Sequence, residues 1–181
     1  MVSRLPIRTQ ALIYRAIHQR FLPYMQLLYP KLSAALERQP LPRADNLFIV
    51  RYNAAGQRGL KLHMDETVLT FNCCLSARGD FTGGGTYFPA ALADTESSAT
   101  WLSPRRVDGL VIRPAPGVAL LHNGNIRHAG CDIQSGERLI LVGFYTHADF
   151  VRREEEPEQD GAGAEAEGVG EPQHAGVLGL C

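Results

Sequence analysis

The sequence predicts a mainly β domain that is preceded by helices and followed by a disordered tail. Apolar residues recur at helical spacing over residues 7–38, and short apolar runs punctuated by Gly, Pro, Asn and Asp fill residues 47–147. From residue 153 onward the chain is acidic, rich in Gly and Ala, and without aromatic residues. We therefore predict a helical support region (1–45), a β domain (46–151) and a disordered acidic tail (152–181).

The first region carries apolar residues on helical faces, and two prolines interrupt it. Pro23 and Pro30 each lack a backbone N–H, so they favour a division into two or three helical pieces. The apolar positions are Ile7, Leu12, Ile13, Ile17, Phe21, Met25, Leu27, Leu28, Leu32 and Leu36.

The middle region contains six short β-rich runs, namely "LFIVRY", "VLTFNCCLS", "GTYFP", "GLVIRP", "GVALLH" and "RLILVGFYT". No helical segment separates them, which favours an all-β barrel or sandwich over alternating βα units. Gly83–Gly85 predict a bend or bulge that enters the "TYF" strand. The long connection over residues 90–108 carries Trp101, Arg105 and Arg106, and is expected to contact substrate or to be a disordered insertion.

Composition narrows the possible partners and compartments. The 181 residues have a formal charge of −1, so no bulk attraction to nucleic acid or to an anionic membrane is expected. No apolar run reaches the roughly 20 residues of a membrane span, and the N-terminus lacks a signal-peptide core. The four cysteines lack the spacing of a zinc or redox site and are expected to be free thiols. A cytoplasmic location is therefore favoured.

A His-x-Asp pair in "LKLHMDETVLTFN" is the first sign of a metal site. In an extended chain His63 and Asp65 point to the same face. The pair alone is weak, because 6 histidines and 8 aspartates in 181 residues give roughly 0.3 such pairs by chance. A second copy, His147 and Asp149, is present.

The downstream sequence favours the first copy. A two-His, one-carboxylate site needs a third ligand from a distant strand. His128 lies in a polar turn between apolar strands, and Arg138 opens the next strand ten residues later. A guanidinium near a metal could bind a carboxylate with two hydrogen bonds. The second copy has no arginine in a comparable position after it, so it is assigned to the surface. His122 either packs or supports the proposed ligands.

His63, Asp65, His128 and Arg138, in this order, resemble the iron(II)- and 2-oxoglutarate-dependent dioxygenases. The segment "RYNAAGQRGLKLHMDETVLTFNCCLS" resembles the prolyl and lysyl hydroxylase branch of that superfamily. The segments "DFTGGGTYF" and "GVALLHNGNIRHAG" are similar to the catalytic domain of procollagen lysyl hydroxylases. The resemblance covers about residues 47–147.

This resemblance implies a double-stranded β-helix, which is a cupin-like jelly-roll. It implies that His63, Asp65 and His128 bind iron(II), and that Arg138 and Tyr52 contact the co-substrate 2-oxoglutarate. O₂ is the second co-substrate, ascorbate is a supporting reductant, and the products include succinate and CO₂. Asn72 shares a strand face with Thr70 and could complete the pocket.

The substrate remains open at this level. A prolyl or lysyl side chain of a peptide or protein is the leading expectation, and a small molecule is the alternative. A nucleic-acid demethylase is disfavoured, because Phe144 occupies the position of a second arginine six residues after Arg138. A non-enzymatic jelly-roll binding module is the remaining alternative, although all three candidate ligands and the arginine are present.

Overall fold

The structure, a computed structural model, describes residues 1–90, 109–147 and 176–178. The connection over residues 90–108 was predicted to contact substrate or to be a disordered insertion. Apart from Ala90 it lies outside the described residues, together with Trp101, Arg105 and Arg106. Asp149 and most of the predicted tail also lie outside them. The division of the chain at residues 45 and 151 remains a prediction.

The N-terminal region is helical, as predicted, but Pro23 does not break it. Helix α1 (Ile7–Ala16) continues through a π-helical turn (Ile17–Phe21) into α2 (Leu22–Leu28). Pro23 occupies the first turn of α2, and the wider π turn before it accommodates the missing N–H. Pro30 does end the helix, and α3 (Ser33–Arg38) follows. Short 3₁₀ turns lie at Val2–Arg4, Pro30–Leu32 and Ala44–Asn46.

In the described part of the chain, ten antiparallel strands form two sheets. They are β1 (Leu47–Asn53), β2 (Leu60–His63), β3 (Leu69–Cys74), β4 (Phe81–Gly83), β5 (Thr86–Pro89), β6 (Gly109–Ile112), β7 (Ala119–His122), β8 (His128–Gly130), β9 (Ile133–Tyr145) and β10 (Gly176–Leu178). The larger sheet has the order β1-β9-β3-β7-β10, with β4 paired to β9, and the smaller one has the order β2-β8-β5-β6. The predicted mainly β fold with N-terminal helices, of the jelly-roll kind, is confirmed.

Alternation along β3 separates the two faces of the larger sheet. Leu69, Phe71 and Cys73 pack in the cluster that contains the helices, whereas the residues between them face the other way. The contact is close, since the rings of Phe21 and Phe71 lie 5.1 Å apart, edge to face. Gly143 of β9 pairs with Phe71 of β3, and a Cβ on Gly143 would lie 2.1 Å from the Phe71 ring. The helices thus cover the outer face and leave the inner face for the site.

Two local expectations are corrected. His128 was predicted in a turn but lies in the short strand β8, and Arg138 was predicted at a strand start but lies in the middle of β9. Both strands extend into polar, Gly-containing sequence, because pairing with neighbouring strands compensates for low local β propensity. Within the predicted disordered tail, the described residues Gly176–Leu178 pair with β7, and the prediction for the rest of the tail falls outside the described residues.

The predicted bend at Gly83–Gly85 is confirmed. All three residues, from the end of β4 to the start of β5, have positive φ angles, of 77°, 67° and 117°. Only glycine adopts such a run without strain, so these residues set the direction in which β5 enters the smaller sheet.

The described residues contain no helix that is long and apolar enough to cross a membrane.

Candidate metal centre

A cavity of about 110 Å³ lies between the inner faces of the two sheets. The larger sheet contributes an apolar wall from β1 and β9, and the smaller sheet contributes β2, β5 and β8. The wall consists of Phe48, Val50, Ile140, Val142 and Phe144. The cavity is also lined by His63, Asp65, His128, Arg138, Tyr52 and Asn72, which are the six residues that the sequence predicted.

His63, Asp65 and His128 converge at this cavity. One possible ligand atom from each lies within 4.8 Å of the others. His63 Nε2 is 3.2 Å from Asp65 Oδ1, and His128 Nε2 is 3.7 Å from Asp65 Oδ2. His63 ends β2 and His128 begins β8, and these two residues are paired across the smaller sheet. Strand pairing therefore brings together residues that are 65 positions apart.

Backbone carbonyls orient both imidazoles. His63 Nδ1 lies 2.7 Å from the Lys61 carbonyl oxygen, and His128 Nδ1 lies 2.9 Å from that of Ile126. Because a carbonyl only accepts hydrogen bonds, each Nδ1 carries the hydrogen and donates it. When both rings are neutral, each directs its Nε2 lone pair toward the Asp65 carboxylate. That arrangement is repulsive unless a positive charge lies between the groups, either a proton on His63 Nε2 that Asp65 accepts or a metal ion, and two imidazoles with one carboxylate are a donor set that fits a divalent metal ion.

The electrostatics of the three groups agree with this geometry. Burial alone would raise the pKa of Asp65, but the hydrogen bond with His63 and the nearby His128 hold it below its usual value. The hydrogen bond with Asp65 raises the pKa of His63, and burial lowers that of His128. The carboxylate is therefore ionised, as a metal ligand must be.

Arg138 lies in the same cavity with its charge almost entirely buried. Its exposed fraction is 3%, and Nη1 donates one hydrogen bond of 3.3 Å to the Gly85 carbonyl. The guanidinium carbon lies 5.8 Å from the ring centres of both Tyr52 and Phe81. Among the described residues no carboxylate forms an ion pair with Arg138. A buried cation without an anionic partner is costly, so the cavity is suited to an anionic ligand.

Tyr52 and Asn72 also reach the cavity, from opposite sides of β9. Tyr52 pairs with Arg138 across β1 and β9, and its hydroxyl lies against Gly130, where a Cβ would be 2.8 Å away. Asn72 Nδ2 lies 3.1 Å from His122 Nε2. Both residues are therefore placed where a ligand of Arg138 or of the metal site could contact them.

His122 packs against the three-residue cluster, and its sequence context left packing and a supporting role both open. It is completely buried, and its ring centre lies 4.5 Å from that of His128. Nδ1 donates to the Asn123 carbonyl, so Nε2 accepts the hydrogen bond from Asn72. Burial lowers the pKa of His122 to about 4, which keeps the ring neutral. Its Nε2 is bonded to Asn72 and lies 4.0 Å from Asp65 Oδ2, so His122 is a neighbour of the three-residue cluster.

The sequence does not predict that the buried hydroxyls of Thr67 and Thr70 form a network with Asp65. Alternation places Thr70 on one strand face with Asn72, but Thr67 lies in a turn whose geometry the sequence does not reveal. In the second His-x-Asp pair, His147 is exposed and Asp149 lies outside the described residues.

Known proteins with similar sequences include procollagen lysine hydroxylases. The chain is 33% identical over 105 residues to the human multifunctional procollagen lysine hydroxylase and glycosyltransferase LH3. The chain is similar to procollagen lysine hydroxylases. The match covers 56% of this chain and 12% of that protein. Human procollagen-lysine,2-oxoglutarate 5-dioxygenase 2 is 31% identical over 100 residues, which are 54% of this chain and 11% of that protein.

A plant protein extends the similarity. The Arabidopsis thaliana 2-oxoglutarate and iron-dependent oxygenase domain-containing protein ICU11 is 27% identical over 121 residues, or 66% of this chain and 28% of that protein. No family model matches the chain. The resemblance to iron- and 2-oxoglutarate-dependent oxygenases of the lysyl hydroxylase kind is thus confirmed, although the chain spans only 11–28% of the length of these relatives.

Proposed function

We propose that this chain is an iron(II)- and 2-oxoglutarate-dependent dioxygenase that hydroxylates a prolyl or lysyl side chain of a peptide or protein. The reaction would consume O₂ and 2-oxoglutarate and release succinate and CO₂, with ascorbate as a supporting reductant. His63, Asp65 and His128 would hold the iron, and Arg138, Tyr52 and Asn72 would contact 2-oxoglutarate.

The buried, unpaired charge of Arg138 is the observation that carries this proposal. The cavity that contains the His63–Asp65–His128 cluster also contains a guanidinium with one long hydrogen bond and no acidic partner among the described residues. A dicarboxylic co-substrate has one carboxylate for the metal ion and one for the guanidinium. A metal site that only stabilised the fold would not require the positive charge of Arg138 beside it.

The donor set fits iron. Two imidazoles and one carboxylate leave coordination positions free for exogenous ligands, whereas a full set of four thiolates would close the site. Bound iron(II) would supply the redox chemistry that couples decarboxylation of 2-oxoglutarate to hydroxylation of a C–H bond.

The protein's own residues would orient the co-substrate and exclude water. Arg138 would bind the far carboxylate of 2-oxoglutarate with two charge-assisted hydrogen bonds, and Tyr52 beside it would contact the same group. The apolar wall, which includes Ile140 and Val142 on the same face of β9 as Arg138, would keep bulk water away from the reacting atoms.

The similar proteins support the same class of reaction. Two of them are named for the hydroxylation of procollagen lysine or for a 2-oxoglutarate 5-dioxygenase activity, and the third for dependence on 2-oxoglutarate and iron. They support a protein substrate, and they leave the residue that this chain modifies to experiment.

Succinate formation tests the proposal. The purified chain would be incubated in air with iron(II), 2-oxoglutarate and ascorbate, with and without a library of proline- and lysine-containing peptides. We expect succinate to form and peptides of +16 Da to accumulate. Asp65→Ala should abolish both products, and His147→Ala, which changes an exposed histidine of the second pair, serves as the matched control.

The pattern of products separates the alternatives. Succinate that is stimulated by a small molecule and by no peptide would favour a small-molecule oxygenase. A chain that binds iron(II) and 2-oxoglutarate without forming succinate under any condition would favour a non-enzymatic binding module.

A further inference from the structure

Two threonine hydroxyls form a buried chain that ends on the carboxylate of Asp65. Thr70 Oγ1 donates a hydrogen bond of 2.8 Å to Asp65 Oδ2, and Thr67 Oγ1 lies 2.8 Å from Thr70 Oγ1. Thr70 is completely buried, Thr67 is 3% exposed, and the Asp65 side chain is 5% exposed. Water is therefore a poor substitute for any of these contacts.

Donor and acceptor counting fixes the direction of this chain. An ionised carboxylate only accepts, and each threonine hydroxyl has one hydrogen to donate. Thr70 gives its hydrogen to Asp65, so the hydrogen between the two threonines must come from Thr67. The order is Thr67 to Thr70 to Asp65 Oδ2, and each donated bond strengthens the next one.

The result is an asymmetric carboxylate. Oδ2 is held by Thr70, while Oδ1 lies 3.2 Å from His63 Nε2. Without the Thr70 bond, rotation about the last side-chain torsion of Asp65 would exchange the two oxygens at little cost.

The backbone around Asp65 is built to bring Thr67 into place. Glu66 has a φ of 55°, which is uncommon for a residue with a side chain, and it turns the chain back immediately after Asp65. The Asp65 N–H donates to the Gly124 carbonyl over 2.9 Å. A Cβ on Gly124 would lie 2.0 Å from Thr67 Oγ1 and 2.4 Å from the Thr67 carbonyl oxygen. Only a glycine at position 124 lets Thr67 approach so closely.

We propose that Thr70, supported by Thr67, is a positioning residue that fixes the Asp65 carboxylate so that Oδ1 is presented beside His63 Nε2 for the metal ion. This assignment rests on the proposed metal site and adds a role for two residues that do not bind the metal themselves. A hydroxyl that only satisfied the packing of β3 would need no carboxylate partner, since Thr67 and Thr70 could satisfy each other.

The test compares variants that keep the shape of the side chain with variants that keep its hydroxyl. Thr70→Val removes the hydroxyl at nearly constant volume, and Thr70→Ser retains it. Thr82→Val is the matched control, because Thr82 and Ser135 form an exposed hydroxyl pair of 2.7 Å elsewhere in the fold. Cobalt(II), which is stable in air, replaces iron(II), and the measurements are its dissociation constant, its visible absorption spectrum and the thermal stability of the metal-free protein.

We expect Thr70→Val to weaken cobalt(II) binding roughly 10- to 100-fold, the usual effect of removing the hydrogen-bond partner of a metal ligand. It should also change the absorption spectrum. Thr70→Ser should restore both, Thr67→Val should have a smaller effect, and Thr82→Val should have none. Gly124→Ala should resemble Thr67→Val, because the added methyl group displaces Thr67.

Two results would overturn the assignment, and they differ from a failure of the proposed function. If Thr70→Val lowers the stability of the metal-free protein but binds cobalt(II) with the affinity and spectrum of the wild type, the hydroxyl is only structural. If Thr70→Ser fails to restore the affinity of a folded protein, the hydroxyl is not the responsible group. A wild-type chain that binds no divalent metal would instead refute the proposed metal centre, and this assignment with it.

Discussion

Replacing Arg138 by lysine and by alanine separates its charge from its geometry. The guanidinium is 3% exposed, lies 5.8 Å from the rings of Tyr52 and Phe81, and makes one hydrogen bond to the Gly85 carbonyl. No other described residue accepts a hydrogen bond from it, so its remaining donors can bind a carboxylate. Lysine keeps the positive charge but loses the planar pair of donors, so it can replace one of the two hydrogen bonds to 2-oxoglutarate.

The expected loss follows from the value of one such bond. A hydrogen bond to a charged group contributes about 1.5–3 kcal/mol, which corresponds to a factor of roughly ten to one hundred in the apparent KM for 2-oxoglutarate. Arg138→Ala should weaken binding further, because it leaves the carboxylate in an apolar pocket without a partner. Metal affinity in the absence of 2-oxoglutarate should hardly change in either variant, since Arg138 is outside the proposed ligand set.

The assay measures succinate formation against 2-oxoglutarate concentration, together with metal binding by calorimetry. Arg51→Lys is the matched control, because Arg51 is an exposed arginine of the adjacent strand that pairs with Glu137. A co-substrate without the far carboxylate should bind the wild type poorly and be almost indifferent to Arg138→Ala. The reasoning is refuted if Arg138→Ala binds 2-oxoglutarate normally and loses metal binding instead, because Arg138 would then be structural.

Three further outcomes are expected. His63→Ala, Asp65→Ala and His128→Ala should each abolish turnover and weaken metal binding, whereas His147→Ala should leave both intact; calorimetric iron(II) titration that shows the reverse would favour the second His-x-Asp pair. Prolyl peptides should stimulate succinate formation more than lysyl peptides. Asp65 is the one acidic side chain among the described residues of the cavity, and because the proposed iron would be bound to it, no carboxylate there is left to pair with a lysyl ammonium group. A stronger response to lysyl peptides would contradict this. Gly143→Ala should lower the free energy of unfolding by about 1–3 kcal/mol, measured by urea denaturation, because its Cβ would overlap the Phe71 ring, whereas Gly56→Ala, which meets no atom within 4 Å, should not; equal stability of the two variants would show that Phe71 can move aside.

The sequence alone determined the class of fold and predicted six residues that line one cavity. Period-two alternation was sufficient to place Thr70 and Asn72 on one face of β3, and the ordered set of His63, Asp65, His128 and Arg138 was sufficient to predict one cavity. Such inferences succeed because alternation is a property of the local backbone, and because an unusual set of polar residues within apolar strands limits the possible chemistry.

Tertiary structure decided which of the apolar helical positions are buried. Ile17 and Met25 are fully buried, whereas Ile7 and Leu27 are about three-quarters exposed (76% and 74%), although all four fit a helical pattern. The amphipathic pattern does not reveal how far the sheet extends beneath the helices, which is decided by tertiary contacts such as that of Phe21 with Phe71.

Tertiary structure also decided how the carboxylate of Asp65 is held. The hydrogen-bond chain from Thr67 requires the positive φ of Glu66 and a bare backbone at Gly124, which lies 57 residues after Thr67 in the chain. Tertiary structure also decided the lengths of strands. The residues of β8 and of the first part of β9 are extended because β2 and β4 pair with them. Contacts between distant segments depend on the whole arrangement of the sheets, so no local property of the sequence predicts them.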